Sequence, residues 1–356
     1  MDKARADFED ARVDIIYEAT EYLTDSNLAP QFIEIMQTCL TEALNKTSPL
    51  PGQTVLYTAR TTSRTPLTAS QTTELSLLGW LCALFHAAYP TRDSITTTSD
   101  PRMQRGVGMA NDTGVLRPLI YALLKKTFRT HPRYTNILEL FLQAEMNVSM
   151  GQVSDTYSAT QDIAAVGTDP RSWEVYEFMV EHSGTYPSWY MPIVLALEYL
   201  ETATSQNKAQ VRDVLGPIGL YVQIRNEVYD VVRDEGDSRA CNNGAGNGIA
   251  ANKCGWLIMH ALDRADVRQK GVLLENYGRK ERGAVETVIG VYKELDLERV
   301  FSDYEEKAHR LIQSGIDGID EGLGLRKQVF RGLFEVLKME GEYKGSRNVT
   351  ETEESV

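Results

Sequence analysis

The stretch GLYVQIRNEVYDVVRDEGD, Gly219 to Asp237, organises the rest of the chain. Its apolar residues recur at helical spacing, and its polar residues form a stripe along one side of the predicted helix. Asn226, Asp230 and Asp234 are four residues apart, which stacks three oxygen-bearing side chains on one face. Such a stripe suits Mg²⁺, a hard cation that shares its remaining coordination positions with water and substrate phosphates. A solvated acidic face near a helix end explains the pattern equally well.

Composition narrows the class of protein. The chain has 356 residues, of which 42% are hydrophobic, and a formal net charge of -13. The acidic balance and the lack of a basic stripe argue against nucleic acid as a ligand. No apolar run reaches about 18 residues, so no membrane span is expected, and the charged N-terminus is unlike a signal or transit peptide. Four separated cysteines without a CxxC pair predict reduced thiols and a cytoplasmic protein.

Helical periodicity covers most of the chain, and no alternating strand pattern of useful length is found. Residues 47–72 are rich in Thr, Ser and Pro, so we predict a loop there that leads to a helix cap at Ser70. We predict an all-α bundle of about ten or more helices in one domain over residues 1–340, and a charged, disordered tail over 341–356. The predicted helices span 5–46, 72–89, 115–128, 137–159, 173–182, 190–202, 208–234, 256–264, 266–277, 280–294, 302–313 and 325–339.

Several motifs between about Leu77 and about Leu337 resemble the farnesyl diphosphate synthase family. They are LGW at 78–80, ELFLQ at 139–143, GQ at 151–152, SWYMP at 188–192, NKCGW at 252–256 and ENYGRKE at 275–281. The resemblance implies an isoprenoid synthase fold, with helices around a deep apolar cavity. It also implies that two acidic helices hold Mg²⁺, which grips an allylic diphosphate and neutralises the departing diphosphate.

The sequence departs from the family at both aspartate-rich motifs. The family's GxxFQxxDDxxD reads GLYVQIRNEVYD here, so Asn226 and Glu227 replace the aspartate pair and Asp230 is kept. The family's NKCSW reads NKCGW. In the first motif, which should read DDxxD, Asp93 alone is kept of three carboxylates. Asn226, Asp230 and Asp234 instead resemble the second metal motif of terpene cyclases, which share this fold and place ligands at i, i+4 and i+8. The metal ligands implied by these resemblances are Asn226, Asp230, Asp234 and Asp93.

The resemblance also assigns roles around the pocket. The implied substrate-binding residues are Ala88, Tyr89, Arg102, Arg105, Gln152, Gln223 and Lys253, and the implied catalytic residues are Asp93, Asp155 and Asp230. Two lysines of the family are absent, because Ser183 and Gly184 replace a Lys-Thr pair and Gly244 replaces another lysine. In the family these lysines help to bind diphosphate, so their loss argues against a reaction that needs two diphosphate substrates.

We do not expect an ordinary chain-elongating prenyltransferase, because the lost cations would hold its second diphosphate. We expect a class I terpene cyclase that ionises and cyclises geranyl or farnesyl diphosphate, with Mg²⁺ as cofactor. One alternative is a metal-independent cyclase that acts on a neutral polyene, with Asp93, Asp155, Glu227 or Asp230 as the acid. Another is a non-catalytic partner subunit of a prenyl diphosphate synthase. The family resemblance further implies a homodimer with a small isoprenoid substrate.

Overall fold

The computed structural model describes residues 2–25, 29–89, 107–168, 171–232 and 246–346. Every regular element within those ranges is a helix, which confirms the all-α prediction. A π-helix spans Val180–Tyr190. The α-helices are α1 (Asp2–Asp10), α2 (Arg12–Asp25), α3 (Pro30–Lys46), α4 (Leu50–Thr62), α5 (Ala69–Ala88), α6 (Val107–Phe128), α7 (Tyr134–Thr160), α8 (Trp173–Met179), α9 (Met191–Tyr199), α10 (Ser205–Val232), α11 (Asn247–Ala250), α12 (Trp256–Arg264), α13 (Val267–Asn276), α14 (Arg282–Glu294), α15 (Leu297–Asp317) and α16 (Lys327–Ser346).

The chain divides into two compact units, and the prediction of a single domain stays a prediction. The first unit comprises Met1–Val148, Tyr186–Asp213 and Gly318–Gly332, and the second comprises Ser149–Thr185, Val214–Asp317 and Leu333–Val356.

Helix α16 continues to Ser346, so the first residues of the predicted tail are helical. No helix in the described ranges is long and apolar enough to span a membrane. The described cysteines, Cys39, Cys82 and Cys254, are free thiols.

Helix α4 corrects the loop predicted over residues 47–72. It begins at Leu50, with proline in its first turn, and runs to Thr62. Its threonine hydroxyls donate to the carbonyl oxygen four residues earlier: Thr54 to Leu50 and Thr62 to Thr58, both at 2.8 Å. Because these hydroxyls are satisfied inside the helix, a threonine-rich segment can be buried as a helix. Local propensity alone could not show this.

The N-cap of helix α5 lies two residues before the predicted cap at Ser70. This N-cap is Thr68, whose hydroxyl accepts from the Gln71 amide while the Gln71 side chain accepts from the Thr68 amide. This reciprocal capping box satisfies two amide groups, which explains why the helix starts there and not after Ser70. Helix α5 lies close to α4, since a Cβ on Gly79 would be 2.5 Å from the carbonyl oxygen of Gly52.

The core of the second unit surrounds Trp256, the first residue of α12. Its indole is fully buried and meets Phe301 edge-to-face, with ring centroids 6.2 Å apart. Ile224 and Val228 of α10 belong to the same apolar cluster. One face of α10 is therefore fixed in the core, and the polar stripe lies beside that face.

Candidate functional site

The polar stripe of α10 lies in the second unit, beside the apolar residues that fix the helix in its core. Gln223 and Asn226 are exposed, whereas Glu227 and Asp230 are half-buried. At about 100° per residue, these four side chains leave the helix within roughly a quarter of its circumference. Asp234, the last residue of the predicted triplet, lies outside the described residues.

Two glycines bring α7 and α10 against the π-helix. A Cβ on Gly151 of α7 would lie 2.8 Å from the Cβ of Ser183, and a Cβ on Gly219 of α10 would overlap the side chain of Thr185. Gln152 and Asp155 of α7, both half-buried, follow closely after this contact. The structure therefore places Gln152, Asp155 and the α10 stripe in the same unit.

The π-helix also corrects the predicted break between helices. Helices were predicted over 173–182 and 190–202, but α8 ends at Met179 and a π-helix continues to Tyr190. Pro187 lies inside it and lacks an amide hydrogen, so regular α-helical bonding is interrupted there. Single turns of π-helix are frequent at functional sites.

Glu227 is held by three donors. Its Oε1 accepts from the Tyr176 hydroxyl at 2.8 Å and from the Gln223 amide at 3.1 Å. Its Oε2 accepts from the backbone amide of Trp256 at 2.8 Å. Burial raises the pKa of Glu227 above its ordinary value, while the hydrogen bonds and the ammonium group of Lys253 act in the opposite direction. This carboxylate is therefore committed to protein donors.

The segment after the second motif is anchored through Asn252, whose backbone is left-handed with φ of 55°. Asparagine tolerates this conformation better than most residues. Its side-chain amide donates to the carbonyl oxygens of Ala159 and Gln161, both at 2.9 Å. The buried guanidinium of Arg171 donates to the side-chain oxygen of Asn252 at 3.2 Å and to its carbonyl oxygen at 3.1 Å. Asn252 is thus held from both sides.

Lys253 follows on a backbone that is fixed at both of its polar groups. Its amide donates to the carbonyl oxygen of Gly248 at 2.9 Å, and its carbonyl oxygen accepts from the Tyr277 hydroxyl at 2.7 Å. A lysine on a rigid backbone can present its ammonium group at a defined place, which suits a diphosphate ligand.

Ala88 and Tyr89 belong to the first unit. Ala88 is buried at the last position of α5, and the Tyr89 hydroxyl donates to the carboxylate of Glu145. The guanidinium of Arg117 lies 4.0 Å from the centre of the Tyr89 ring. Burial and Glu145 raise the pKa of Tyr89 above its ordinary value. Asp93, Arg102 and Arg105 lie outside the described residues, so the structure does not place them.

Tyr176 and Arg171 are the site residues that sequence reasoning missed. Tyr176 is spaced three residues from both Trp173 and Met179, which is the pattern of an ordinary apolar helix face. Arg171 follows a loop and belongs to no motif. Neither residue carries a local sign of its partner, because the partners are contributed by distant parts of the chain.

The described residues fit only part of a magnesium site. No group of three or more His, Cys, Asp or Glu side chains is arranged to hold a metal within the described ranges. Asn226 and Asp230 offer side-chain oxygens one helical turn apart, whereas Glu227 is engaged elsewhere. Two further ligands implied by the resemblance, Asp93 and Asp234, lie beyond the described part of the chain.

Comparison with known proteins agrees with the fold and the motifs. The family model described as Polyprenyl synthetase matches residues 37–295. This chain belongs to that family. The farnesyl pyrophosphate synthase of Candida albicans is 31% identical over 342 residues, covering 92% of this chain and 95% of that protein. The farnesyl pyrophosphate synthase of Schizosaccharomyces pombe is 29% identical, with the same coverage.

Solved structures show the same fold. The structure of T. brucei farnesyl pyrophosphate synthase superimposes with a TM-score of 0.79 at 21% identity, covering 95% of this chain and 99% of that one. At this identity the likeness concerns the fold, and it confirms the isoprenoid synthase architecture. Members of the family generally use Mg²⁺.

The expectation against chain elongation is wrong. Relatives that match 92% of this chain are named farnesyl pyrophosphate synthase, which is a chain-elongating prenyltransferase. That expectation rested on several lost charges, among them the lysines replaced at Ser183 and Gly244 and the acids missing from both metal motifs. Diphosphate is bound by several cations together, and Arg102, Arg105 and Lys253 are kept, so losses at aligned positions did not decide the reaction.

Proposed function

We propose that this protein is a prenyltransferase that joins an allylic diphosphate to isopentenyl diphosphate and so lengthens a prenyl chain. The observation that supports this most is the match of the farnesyl pyrophosphate synthase of Candida albicans along 92% of the chain. The second unit adds support, because Gln152, Asp155, Asp230 and Lys253 keep the family's residue types on rigid helices and a fixed loop.

In this proposal the following residues bind the metal and the diphosphate. Asn226 and Asp230 would hold Mg²⁺, together with Asp93 and Asp234. When bound, Mg²⁺ supplies Lewis-acid neutralisation of the diphosphate that leaves the allylic substrate. Lys253 binds a diphosphate oxygen from its fixed backbone position.

The remaining residues bind and shape the substrate. Arg102 and Arg105 bind the diphosphate as forked donors. Gln152, Asp155 and Gln223 line the diphosphate end of the site, with Asp155 near the reacting atoms. The family resemblance assigns Ala88 and Tyr89, which belong to the first unit, to the prenyl chain of the substrate.

The assay that tests this function uses the purified protein with geranyl diphosphate, with and without isopentenyl diphosphate, in Mg²⁺ or in EDTA. Released pyrophosphate and products in an organic extract are measured. We expect a longer prenyl diphosphate only when Mg²⁺ and isopentenyl diphosphate are both present. Asp230→Ala should abolish product, whereas Asp303→Asn, which changes an exposed acid of α15, should not.

Each other outcome contradicts chain elongation in its own way. Release of pyrophosphate and a cyclic hydrocarbon without isopentenyl diphosphate would indicate the terpene cyclase. Turnover of a neutral polyene in EDTA would indicate a metal-independent cyclase. No turnover under any condition would indicate a non-catalytic subunit.

We also propose that the protein forms a homodimer through α7. Five apolar side chains follow one face of this helix at spacings of three or four residues, and each is between 37% and 69% exposed: Leu142, Met146, Met150, Val153 and Tyr157. Together they form a stripe about 22 Å long. A continuous apolar stripe of this length on a helix favours burial against another protein surface.

Light scattering coupled to size-exclusion chromatography tests the dimer. We expect the mass of two chains, and we expect Met146→Glu to yield the mass of one chain. The control is Leu311→Glu, at an exposed apolar residue of α15 outside the stripe. A dimer that survives Met146→Glu but not Leu311→Glu would place the interface elsewhere.

A further inference from the structure

Helix α12 begins without a cap from its own N-cap residue. That residue is Gly255, which makes no side-chain cap hydrogen bond. The first amides of a helix have no partner inside the helix, and a serine, threonine, asparagine or aspartate at the N-cap usually accepts from one of them. The start of α12 therefore needs an acceptor from elsewhere.

Glu227 of α10 supplies that acceptor. Its Oε2 accepts from the amide of Trp256, the first residue of α12, at 2.8 Å. A negative charge at this end of a helix is also favoured by the helix dipole. The other oxygen is held by Tyr176 and Gln223, so the carboxylate has one defined position.

A side chain at position 255 would meet the carboxylate of Glu227. A Cβ at position 255 would lie 2.5 Å from Oε2 of Glu227 and 3.1 Å from its Cδ. The backbone of Gly255 is extended, with φ of -115° and ψ of 174°, which any residue can adopt. The backbone would therefore admit a side chain here, but that side chain would displace the Glu227 carboxylate from its hydrogen bonds.

Both positions depart from the family motifs quoted above. GxxFQxxDDxxD has aspartate where this chain has Glu227, and NKCSW has serine where it has Gly255. Glutamate is one methylene longer than aspartate, and its carboxylate occupies the space that a serine side chain would need. It accepts from the first amide of α12, whereas a serine at the N-cap would accept from the second or third. The two departures therefore compensate for each other.

We propose that Glu227 and Gly255 form a coupled pair in which Glu227 is a positioning residue. Its carboxylate caps α12, holds the segment that carries Lys253 and is withdrawn from the metal ligands on the α10 stripe. The proposal rests on the proposed function only in assigning Mg²⁺ to Asp230 and diphosphate to Lys253. The coupling of the two residues is independent of any activity.

A double-mutant cycle measured by thermal unfolding tests the coupling. Glu227→Asp shortens the acid and leaves the Trp256 amide without its acceptor, and Gly255→Ser forces the carboxylate away. We expect each single variant to lower Tm by about 2–4 °C or more. The double variant should regain at least half of the summed loss, because the shorter aspartate leaves space for the serine side chain, which can then accept from the amide of the second or third residue of α12.

The control cycle pairs Glu227→Asp with Gly271→Ser in α13, where a Cβ would meet no atom within 4 Å. Those two effects should add, because residues without shared contacts are independent. Additive effects in the Glu227–Gly255 cycle would overturn the coupling. This result would be informative even if the protein had no prenyltransferase activity, so failure of the two proposals can be distinguished.

A calorimetric titration of Mg²⁺ in the presence of inorganic diphosphate tests the withdrawal from the metal. Glu227→Gln removes the charge with little change in shape and should leave the Mg²⁺ half-saturation within about twofold, whereas Asp230→Ala should raise it about tenfold or more. A rise in Glu227→Gln equal to that in Asp230→Ala would show that Glu227 is a ligand and would overturn this part of the proposal.

Discussion

Arg171→Met should destabilise the second unit and loosen the segment that carries Lys253. The guanidinium of Arg171 is fully buried and makes three hydrogen bonds. It donates to the carbonyl oxygen of Gln161 at 2.9 Å, to the side-chain oxygen of Asn252 at 3.2 Å and to the carbonyl oxygen of Asn252 at 3.1 Å. Methionine fills much of the same volume but cannot donate to any of these oxygens.

The size of the effect follows from these contacts. Three hydrogen bonds at about 1 kcal/mol net each would cost about 3 kcal/mol. Release of a buried charge from a poorly solvated place acts in the opposite direction, so we expect a net loss of about 2–3 kcal/mol in the free energy of unfolding. The carbonyl of Gln161 keeps a donor, since the Asn252 side chain also donates to it.

Urea unfolding followed by circular dichroism measures this loss. The matched control is Arg268→Met, which removes an exposed ion pair with Glu294 and should leave stability nearly unchanged. Arg171→Lys should recover only part of the loss, because an ammonium group lacks the planar fork of donors. A loss for Arg171→Met no larger than that for Arg268→Met would refute the assignment of Arg171 as an anchor.

Three further predictions concern the first unit. Burial lowers the pKa of His86 from 6.5 to about 4. As the pH falls, the unfolded chain therefore takes up a proton on this histidine at a higher pH than the folded protein does. Stability should then be full above about pH 6.5 and decline by on the order of 2 kcal/mol towards pH 4, and His86→Gln should flatten the urea midpoint over this range. Glu198→Gln removes the buried charge that pairs with Arg133 and Lys208 and should cost about 1–3 kcal/mol in the same measurement, since both cations stay about a third exposed. Thr68→Ala removes the cap of α5 and should lower the free energy of unfolding by about 1 kcal/mol.

Much of the helical structure was predictable because its signals are local. Helix α12 was predicted over 256–264 and spans Trp256–Arg264, and the helix predicted over 137–159 spans Tyr134–Thr160. Helix α4 was missed, because threonine and proline favour loops when nothing else acts on them. Burial of the whole segment, with its hydroxyls bonded within the helix, overrode that preference.

The site was predictable to the extent that it lies on one helix. The spacing of Asn226 and Asp230 places both side chains on one face of α10 without reference to the rest of the chain. Periodicity places Glu227 beside them and cannot tell a ligand from a structural acid. That distinction depends on Tyr176 and the amide of Trp256, which reach Glu227 only through the tertiary fold.

The sequence by itself determined the all-α class, most helix positions and membership of the polyprenyl synthetase family, because each is written in short-range periodicity or in contiguous motifs. The charges counted in those motifs led to the wrong expectation that the protein is not a chain-elongating prenyltransferase. The effect of a charge depends on which groups surround it in the folded protein, and the motifs do not show that. Only the tertiary structure decided that the Glu227 carboxylate accepts from the first amide of α12, that a side chain at position 255 would meet this carboxylate, and that Arg171 donates to Asn252. Each of these depends on a close approach between atoms far apart in the chain, and no local pattern encodes such an approach.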